Sequence, residues 1–285
     1  MTSALLTVLP APDRAVHGST SGFVLVLAGG GYAFRAEHEF LDVTAWLAAH
    51  GIACGYLDYA VAPATYPQAL GQVLRALAEL RAGVHGPVEG PIAVLGFSAG
   101  AHLAGTALTA TEEEIAVALA GWDGDVADLP DVTAARPDAG VLCYPVVSMT
   151  DLPHLGSRRN LLGADADDAT LATSLSVERR VGADTPPVFM WHTADDDVVG
   201  VEHSLRLAGA LGQAGVSYEL HVYPSGPHGL GLAPDAGAPA EWTQACLRWL
   251  GEQGIGKDMI GEDAITAAVP AVTGSAAGST AGARS

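Results

Sequence analysis

Basic residues are scarce in this chain. Lys and Arg together number 13 against 32 Asp and Glu, a formal charge of −19. Nucleic acids and anionic membrane surfaces are bound through basic patches, so neither is an expected partner. Cysteine is scarce too. Cys54, Cys143 and Cys246 lie far apart in apolar segments, with no metal-ligand spacing among them. The odd count argues against a disulfide framework and for buried free thiols in a reducing compartment. No apolar run reaches the roughly 18 residues of a spanning helix. The start, Met1 to Leu6, has no basic n-region and no long apolar stretch, so a cytoplasmic location is expected.

What is present is an apolar, globular composition. Hydrophobic residues make up 49% and charged residues 16% of 285, enough to bury a full core in one domain. Short apolar runs of strand length occur at Leu5–Leu9, Phe23–Leu27, Ile52–Leu57, Ile92–Leu95, Val141–Tyr144 and Val188–Trp191. Tyr218–Val222 alternates polar and apolar, as a strand near a sheet edge does. Between them, helical spacing is read over residues 36–49 (Phe40, Val43, Leu47), after Pro67 to Arg81, around Val201, Leu205 and Ala208, and from Glu241 to Leu250. Residues 111–137 read as acidic and irregular. Residues 146–187 read as a loop-rich insertion with short helices around Leu171–Glu178. From Gly254 to Ser285 the chain turns to Ala, Gly, Ser and Thr, the composition of a disordered tail beyond a domain of residues 1–253. Strands alternating with amphipathic helices imply right-handed crossovers, and so an α/β fold: a mostly parallel sheet with helices on both faces. Ligands of such sheets bind at the carboxyl ends of the strands.

One stretch at such an end organises the rest. Gly96-Phe97-Ser98-Ala99-Gly100 follows the apolar run Ile92–Leu95 and precedes the helix-prone Ala101–Leu108. The glycines remove side chains that would collide where strand and helix fold back tightly, and the central serine is left standing clear of the backbone. Its hydroxyl needs a base, and the base needs a group that fixes its tautomer. His228, in Pro224-Ser225-Gly226-Pro227-His228-Gly229, is the candidate base. His102 and His192 are read as structural, and His221 as exposed or structural. The orienting carboxylate is expected at the end of the preceding strand, where Asp195, Asp196 and Asp197 stand in a row and spacing does not choose among them. An oxyanion needs N–H donors, each worth roughly 3–4 kcal/mol. The amide of Ala99 is one, and the loop Gly29-Gly30-Gly31 after an early strand is the expected source of the other.

These residues resemble the α/β-hydrolase superfamily, specifically small esterases of the acetyl esterase and acetyl-xylan-esterase-like type. The resemblance rests on Gly29-Gly30-Gly31-Tyr32, Asp58-Tyr59 with Ala62-Pro63 and Tyr66-Pro67, the Ser98 pentapeptide with His102-Leu103-Ala104, Tyr144-Pro145-Val146-Val147-Ser148, Pro186-Pro187, His192-Thr193-Ala194-Asp195-Asp196, and the His228 loop, in family order across residues 23–250. It implies an α/β-hydrolase fold without a large separate cap. By the family pattern His-Gly-x-x-Asp-x-x-Val-Pro laid on His192, it implies Asp196 as the triad acid. It also implies Gly30, Gly31 and Ala99 as the oxyanion hole, with Tyr32 as a substrate contact beside the glycine loop. The expected activity is hydrolysis of short acyl esters, often acetyl groups on sugars, with a small-molecule ester as partner and with no metal or organic cofactor. The chain departs from the pattern at Ala28, where many relatives have histidine before the glycines, at Ala60 and at Gly200. The first departure leaves open how the glycine loop is pinned. Peptidases, lactone hydrolases, arylformamidases and a non-catalytic binding protein on the same scaffold are the alternatives.

Overall fold

The computed structural model of the protein describes residues 5–9, 21–120 and 135–256. Seven strands form one sheet: β1 (Leu5–Val8), β2 (Phe23–Leu27), β3 (Cys54–Asp58), β4 (Ile92–Phe97), β5 (Ala139–Cys143), β6 (Val188–Thr193) and β7 (Tyr218–Tyr223), in the order β1-β3-β2-β4-β5-β6-β7. Only β1 runs antiparallel, at one edge, and β7 closes the other. Strands β2, β4, β5 and β6 are buried along their whole length, because a parallel sheet is covered on both faces.

Alternate residues of each strand feed two cores. Leu25, Leu27 and Val94 pack with α2 (Gln68–Arg81), α3 (Ala99–Leu108), α4 (Glu112–Leu119) and α7 (Glu202–Ala214) on one face. Val24, Val26, Leu95 and Phe97 pack with α1 (Leu41–Ala49) and α8 (Trp242–Glu252) on the other. There Trp191 stacks on Trp242 with ring centroids 5.3 Å apart. Two short helices, α5 (Leu155–Leu162) and α6 (Ala169–Ser174), lie between β5 and β6. Among the described residues no helix is long and apolar enough to cross a membrane.

The chain order reverses between β2 and β4. The chain leaves β2 toward α1 on one face and leaves β4 into α3 on the other, so a crevice opens at the carboxyl ends of this pair. In the ladder Leu27 stands opposite Gly96, which brings the glycine loop beside Ser98.

Four local expectations are corrected. The segment from residue 111 is not irregular at its start. Thr111 and Glu114 form a reciprocal capping box, the Thr111 hydroxyl accepting the Glu114 amide at 3.2 Å and the Glu114 carboxylate accepting the Thr111 amide at 2.9 Å, and α4 follows. Residues 121–134 lie outside the described residues. The helix expected over 36–49 breaks at Phe40 into a 3-10 turn, Glu37–Glu39, and α1. On α7 the buried face is Ser204, Leu207, Ala208 and Leu211, and Leu205 is 51% exposed, so the apolar stripe is turned by about one position. The packed chain also continues past residue 253: Ile255 is buried, and Gly256 pairs with Ser21. The rest of the expected tail, 257–285, lies outside the described residues.

Candidate active site

Ser98 caps α3 and carries φ 51°, a conformation an L-residue adopts only under constraint. The glycines on either side explain the constraint. A side chain on Gly96 would meet the backbone of Gly100, and one on Gly100 would meet the carbonyls of Leu27 and Ala28. Strand, turn and helix therefore touch backbone to backbone. The Ser98 hydroxyl makes no capping bond to its own helix, which leaves it for another partner.

That partner is His228, whose Nε2 lies 2.8 Å from Ser98 Oγ. Its Nδ1 lies 2.7 Å from Asp196 Oδ2. Because a carboxylate only accepts, the Nδ1 proton points at Asp196 and Nε2 is left to accept from the serine. Asp196 itself is buried. Burial pushes its pKa up, but the bonds from His192, His228 and the Val199 amide outweigh that and hold it well below the ordinary carboxylate range. The amides of Val198 and Val199 donate to its Oδ1 at 3.0 and 2.9 Å. His192 Nε2 lies 3.4 Å from Oδ2 while donating to the Val199 carbonyl at 2.7 Å. Asp196 is thus ionised, oriented and shielded from water.

The neighbouring aspartates are elsewhere. Asp195 is exposed and holds the histidine loop from outside, accepting the Ser225 hydroxyl at 2.7 Å and the Gly226 amide at 2.8 Å. Asp197 is exposed as well. The structural reading of His102 and His192 agrees with their burial. His221 is half-buried on β7, its Nε2 lying 2.6 Å from Glu219 Oε1.

The glycine loop lies against the serine: a Cβ on Gly29 would come within 3.0 Å of Ser98 Cβ. The Gly29 amide is already used, donating to Glu39 Oε2 at 2.6 Å. Among the described residues the amides of Gly30, Gly31 and Ala99 donate to no protein acceptor. The loop is pinned without the histidine that Ala28 replaces. Glu39 holds Gly29, the Tyr59 hydroxyl donates to the Ala28 carbonyl at 2.6 Å, and the Asn160 amide donates to the Gly31 carbonyl at 2.8 Å.

Tyr32, expected as a substrate contact, is turned away from the site. Its side chain is buried against Tyr59 and His102, and its hydroxyl donates to His102 Nδ1 at 2.8 Å. His102 Nε2 donates to the Leu175 carbonyl at 2.8 Å, and burial lowers the ring's pKa to about 4, so it is the neutral tautomer that receives the tyrosine proton. What lines the cavity of about 530 Å³ over Ser98 and His228 is Gly30, Gly31, Phe34, His154, Asn160 and Val198, among others. Phe34 is 61% exposed at its mouth. His154 and Asn160 come from α5 and its cap, in the segment read as a loop-rich insertion.

The family model described as BD-FAE matches residues 14–211. The chain belongs to the BD-FAE family. This BD-FAE chain is 32% identical over 218 residues to endo-1,4-beta-xylanase B of Butyrivibrio fibrisolvens. It is 29% identical over 220 residues to an acetylxylan esterase of Xylanibacter ruminicola. Each alignment takes in 74% of this chain, but the chain spans only 33% and 42% of the length of those two relatives. Among solved structures, the acetyl ester-xyloside bifunctional hydrolase of Caldicellulosiruptor lactoaceticus aligns with TM-score 0.75 and 38% identity, over 88% of each chain. A Lactobacillus plantarum carboxylesterase aligns with TM-score 0.70 and 26% identity, over 87% of this chain and 92% of its own. The fold is that of the α/β-hydrolase esterases, in agreement with the resemblance read from the sequence.

Two groups at the site escaped the sequence reading. Glu39 falls within the helix expected over residues 36–49 and is given no role of its own. Its spacing of four from Val43, and of eight from Leu47, on the apolar side was the available signal. Tyr144 is read as a strand end and as part of a motif, with no role at the site. Nothing in its spacing said that its hydroxyl would reach Glu39, 105 residues away.

Proposed function

We propose that the protein is a serine carboxylic-ester hydrolase acting on short acyl esters, acetyl above all, carried by sugars such as xylo-oligosaccharides. The reading is carried by one observation, the chain of contacts from Ser98 Oγ through His228 to Asp196 at 2.8 and 2.7 Å. The esterases and xylan-active enzymes among its relatives support the substrate class.

In this reading the Ser98 hydroxyl attacks the ester carbonyl as His228 Nε2 takes its proton. The imidazolium forms against the ionised Asp196. The oxyanion develops beside the free amides of Gly30, Gly31 and Ala99, at the N-terminus of α3, where helix dipole and amides both favour negative charge. His228 then returns its proton to the departing alkoxide, and the sugar leaves. Water attacks the acyl-serine as the same histidine takes its proton, and as the bond to Ser98 Oγ breaks His228 returns that proton to the serine and the acid is released. The mouth of the cavity, with Phe34 beside His154 and Asn160, offers an apolar surface next to hydrogen-bonding groups, which suits a sugar ring. The three buried free thiols fit a reducing compartment, and we assign the enzyme to the cytoplasm. Recovery of the mature protein mainly outside the cell would overturn that assignment.

The test is hydrolysis of p-nitrophenyl acetate, its longer acyl homologues and acetylated xylo-oligosaccharides by the wild type and by Ser98→Ala. Acetate should be turned over best, and Ser98→Ala should lose at least about 10³-fold in kcat. A wild type without activity on any ester, or a Ser98→Ala variant that keeps it, would remove the proposal.

A further inference from the structure

Glu39 has no part in the reaction above, yet it is an acid buried at the floor of the same cavity, 2% exposed. Both of its oxygens are engaged. Oε2 accepts the Gly29 amide at 2.6 Å, and Oε1 accepts the Tyr144 hydroxyl at 2.7 Å. The Tyr144 oxygen in turn accepts the Gly231 amide at 2.8 Å. The Tyr144 ring also meets the His228 ring edge to face, with centroids 5.0 Å apart. An unbroken line of hydrogen bonds therefore runs from the loop that carries Gly30 and Gly31 to the loop that carries His228. His38, beside Glu39 on the same 3-10 turn, adds a bond to the Gly229 carbonyl at 2.9 Å.

The line needs a reason, because an acid in the core is expensive. Burial pushes the Glu39 pKa up, and the Tyr144 and Gly29 donors, with His38 and His228 nearby, pull it back. An apolar side chain would fill the space at lower cost. Apart from this line and His38, the two loops are pinned separately, the first by Tyr59 and Asn160 and the second by Asp195. Gly30 and Gly31 on one, and Gly229 and Gly231 on the other, all have positive φ, and glycine backbone offers little stiffness of its own. The donors of one loop and the base of the other must meet the same reacting carbonyl, and a misplacement of about 1 Å costs about 10²-fold in rate. A group with two acceptors placed between two donors fixes both loops to one point.

We propose that Glu39 is a positioning residue of this hydrolase, setting the glycine loop and the histidine loop in register through Gly29 and Tyr144. The inference rests on the hydrolase reading for its catalytic consequence but not for the physical link. Glu39→Gln keeps the shape of the side chain and spoils the pair of acceptors, since its NH₂ either opposes the Gly29 amide or forces the Tyr144 hydroxyl to turn its proton away from it. Tyr144→Phe removes both bonds of the hydroxyl, freeing Gly231 and leaving Glu39 Oε1 without that donor, but keeps the Gly29 arm.

The experiment measures ester kinetics and hydrogen exchange on the full-length chain for both variants and for the double variant. For Glu39→Gln, kcat should fall by about tenfold or more with KM held within about threefold, because orientation and not binding is lost. Exchange should quicken in both segments, 29–34 and 228–233. Tyr144→Phe should quicken exchange in 228–233 alone and lower kcat less. The double variant should be no worse than Glu39→Gln, since both act along one line. Exchange that quickens in one loop only in Glu39→Gln, an unchanged kcat, or a loss carried by KM would overturn the proposal. If Glu39→Gln does not fold, Tyr144→Phe with its single affected loop carries the test. If the wild type hydrolyses no ester, the hydrolase reading fails while the exchange pattern still decides the link.

Discussion

Ser98 and His228 meet at 2.8 Å, but they are held there by opposite means. The serine sits on backbone that has one course open to it: a fully buried strand, two glycines in contact with other backbone, and a helix. The histidine sits on a loop of Gly, Pro and Ser at the surface, placed by side chains from distant parts of the chain. Asp196 holds its ring, Asp195 holds Ser225 and Gly226, and Tyr144 holds Gly231. The first arrangement is steric and stands or falls as a whole. The second is a set of separate bonds, each of which can be lost at its own cost.

Variants at the two ends would break or sharpen this contrast. On the serine side the effect should be largest and should appear as stability. Gly100→Ala puts a methyl group into the carbonyls of Leu27 and Ala28, where no side chain can move aside. We expect a loss of about 3–5 kcal/mol and a melting temperature lower by about 10 °C or more. A variant that melts with the wild type would show that the elbow has room the geometry denies it. On the histidine side the largest effect should be in rate. Asp196→Asn keeps the fold but favours the wrong tautomer of His228, and kcat should fall by about 10³–10⁴-fold with the melting curve little changed. A loss under about tenfold would count against Asp196 as the orienting acid.

Two buried neutral histidines, one beside the elbow and one holding the segment after β5, predict a pH dependence. His102 lies under the elbow. His203 on α7 accepts the amides of Val147 and Ser148 and donates to the Leu152 carbonyl. Burial lowers each from 6.5 to about 4. Between these pH values the unfolded chain takes up protons that the folded chain refuses. Stability should therefore fall as pH drops from 6.5 and stop falling from this cause below about 4, where the folded form is protonated too. Each group contributes about 1.4 kcal/mol per pH unit. Glu39, whose pKa is raised, opposes this by one proton in the part of the window above 4.5. Urea melts from pH 7 to 4 check the slope, and stability that stays flat would mean that these rings are not held neutral. The smallest effect is expected from Asp195→Asn. It loosens the loop from outside and leaves the triad intact, so kcat should fall by less than about tenfold. A larger fall would put Asp195 on the same footing as Asp196.

The same contrast divides what could be read before the structure. The elbow was legible because its determinants are consecutive: an apolar run, Gly96, Ser98, Gly100 and a helix. The strands were legible for the same reason, each to within a few residues. The bond between Thr111 and Glu114 was also local, and its pattern was there to be seen. Asp196 was different. Three aspartates in a row have the same local chemistry, and only the family pattern singled one out. In the structure Asp196 is the one that turns inward, and the amides of Val198 and Val199 meet it there. Tyr32 shows the reverse: beside the glycines in sequence, it belongs to the core in space.

The amino-acid sequence by itself determined the order of strands and helices, the strained turn at Ser98 and the types of residue available to it, because these depend on steric and hydrophobic patterns within a few residues. Only the tertiary structure decided which carboxylate faces His228, which tyrosine faces the core, and that Glu39 joins two loops. Those are matters of burial and direction, set by segments that meet across 32, 70 and 105 residues. Residue type alone does not carry that information, since a carboxylate in solvent and one at the floor of a cavity are spelled alike.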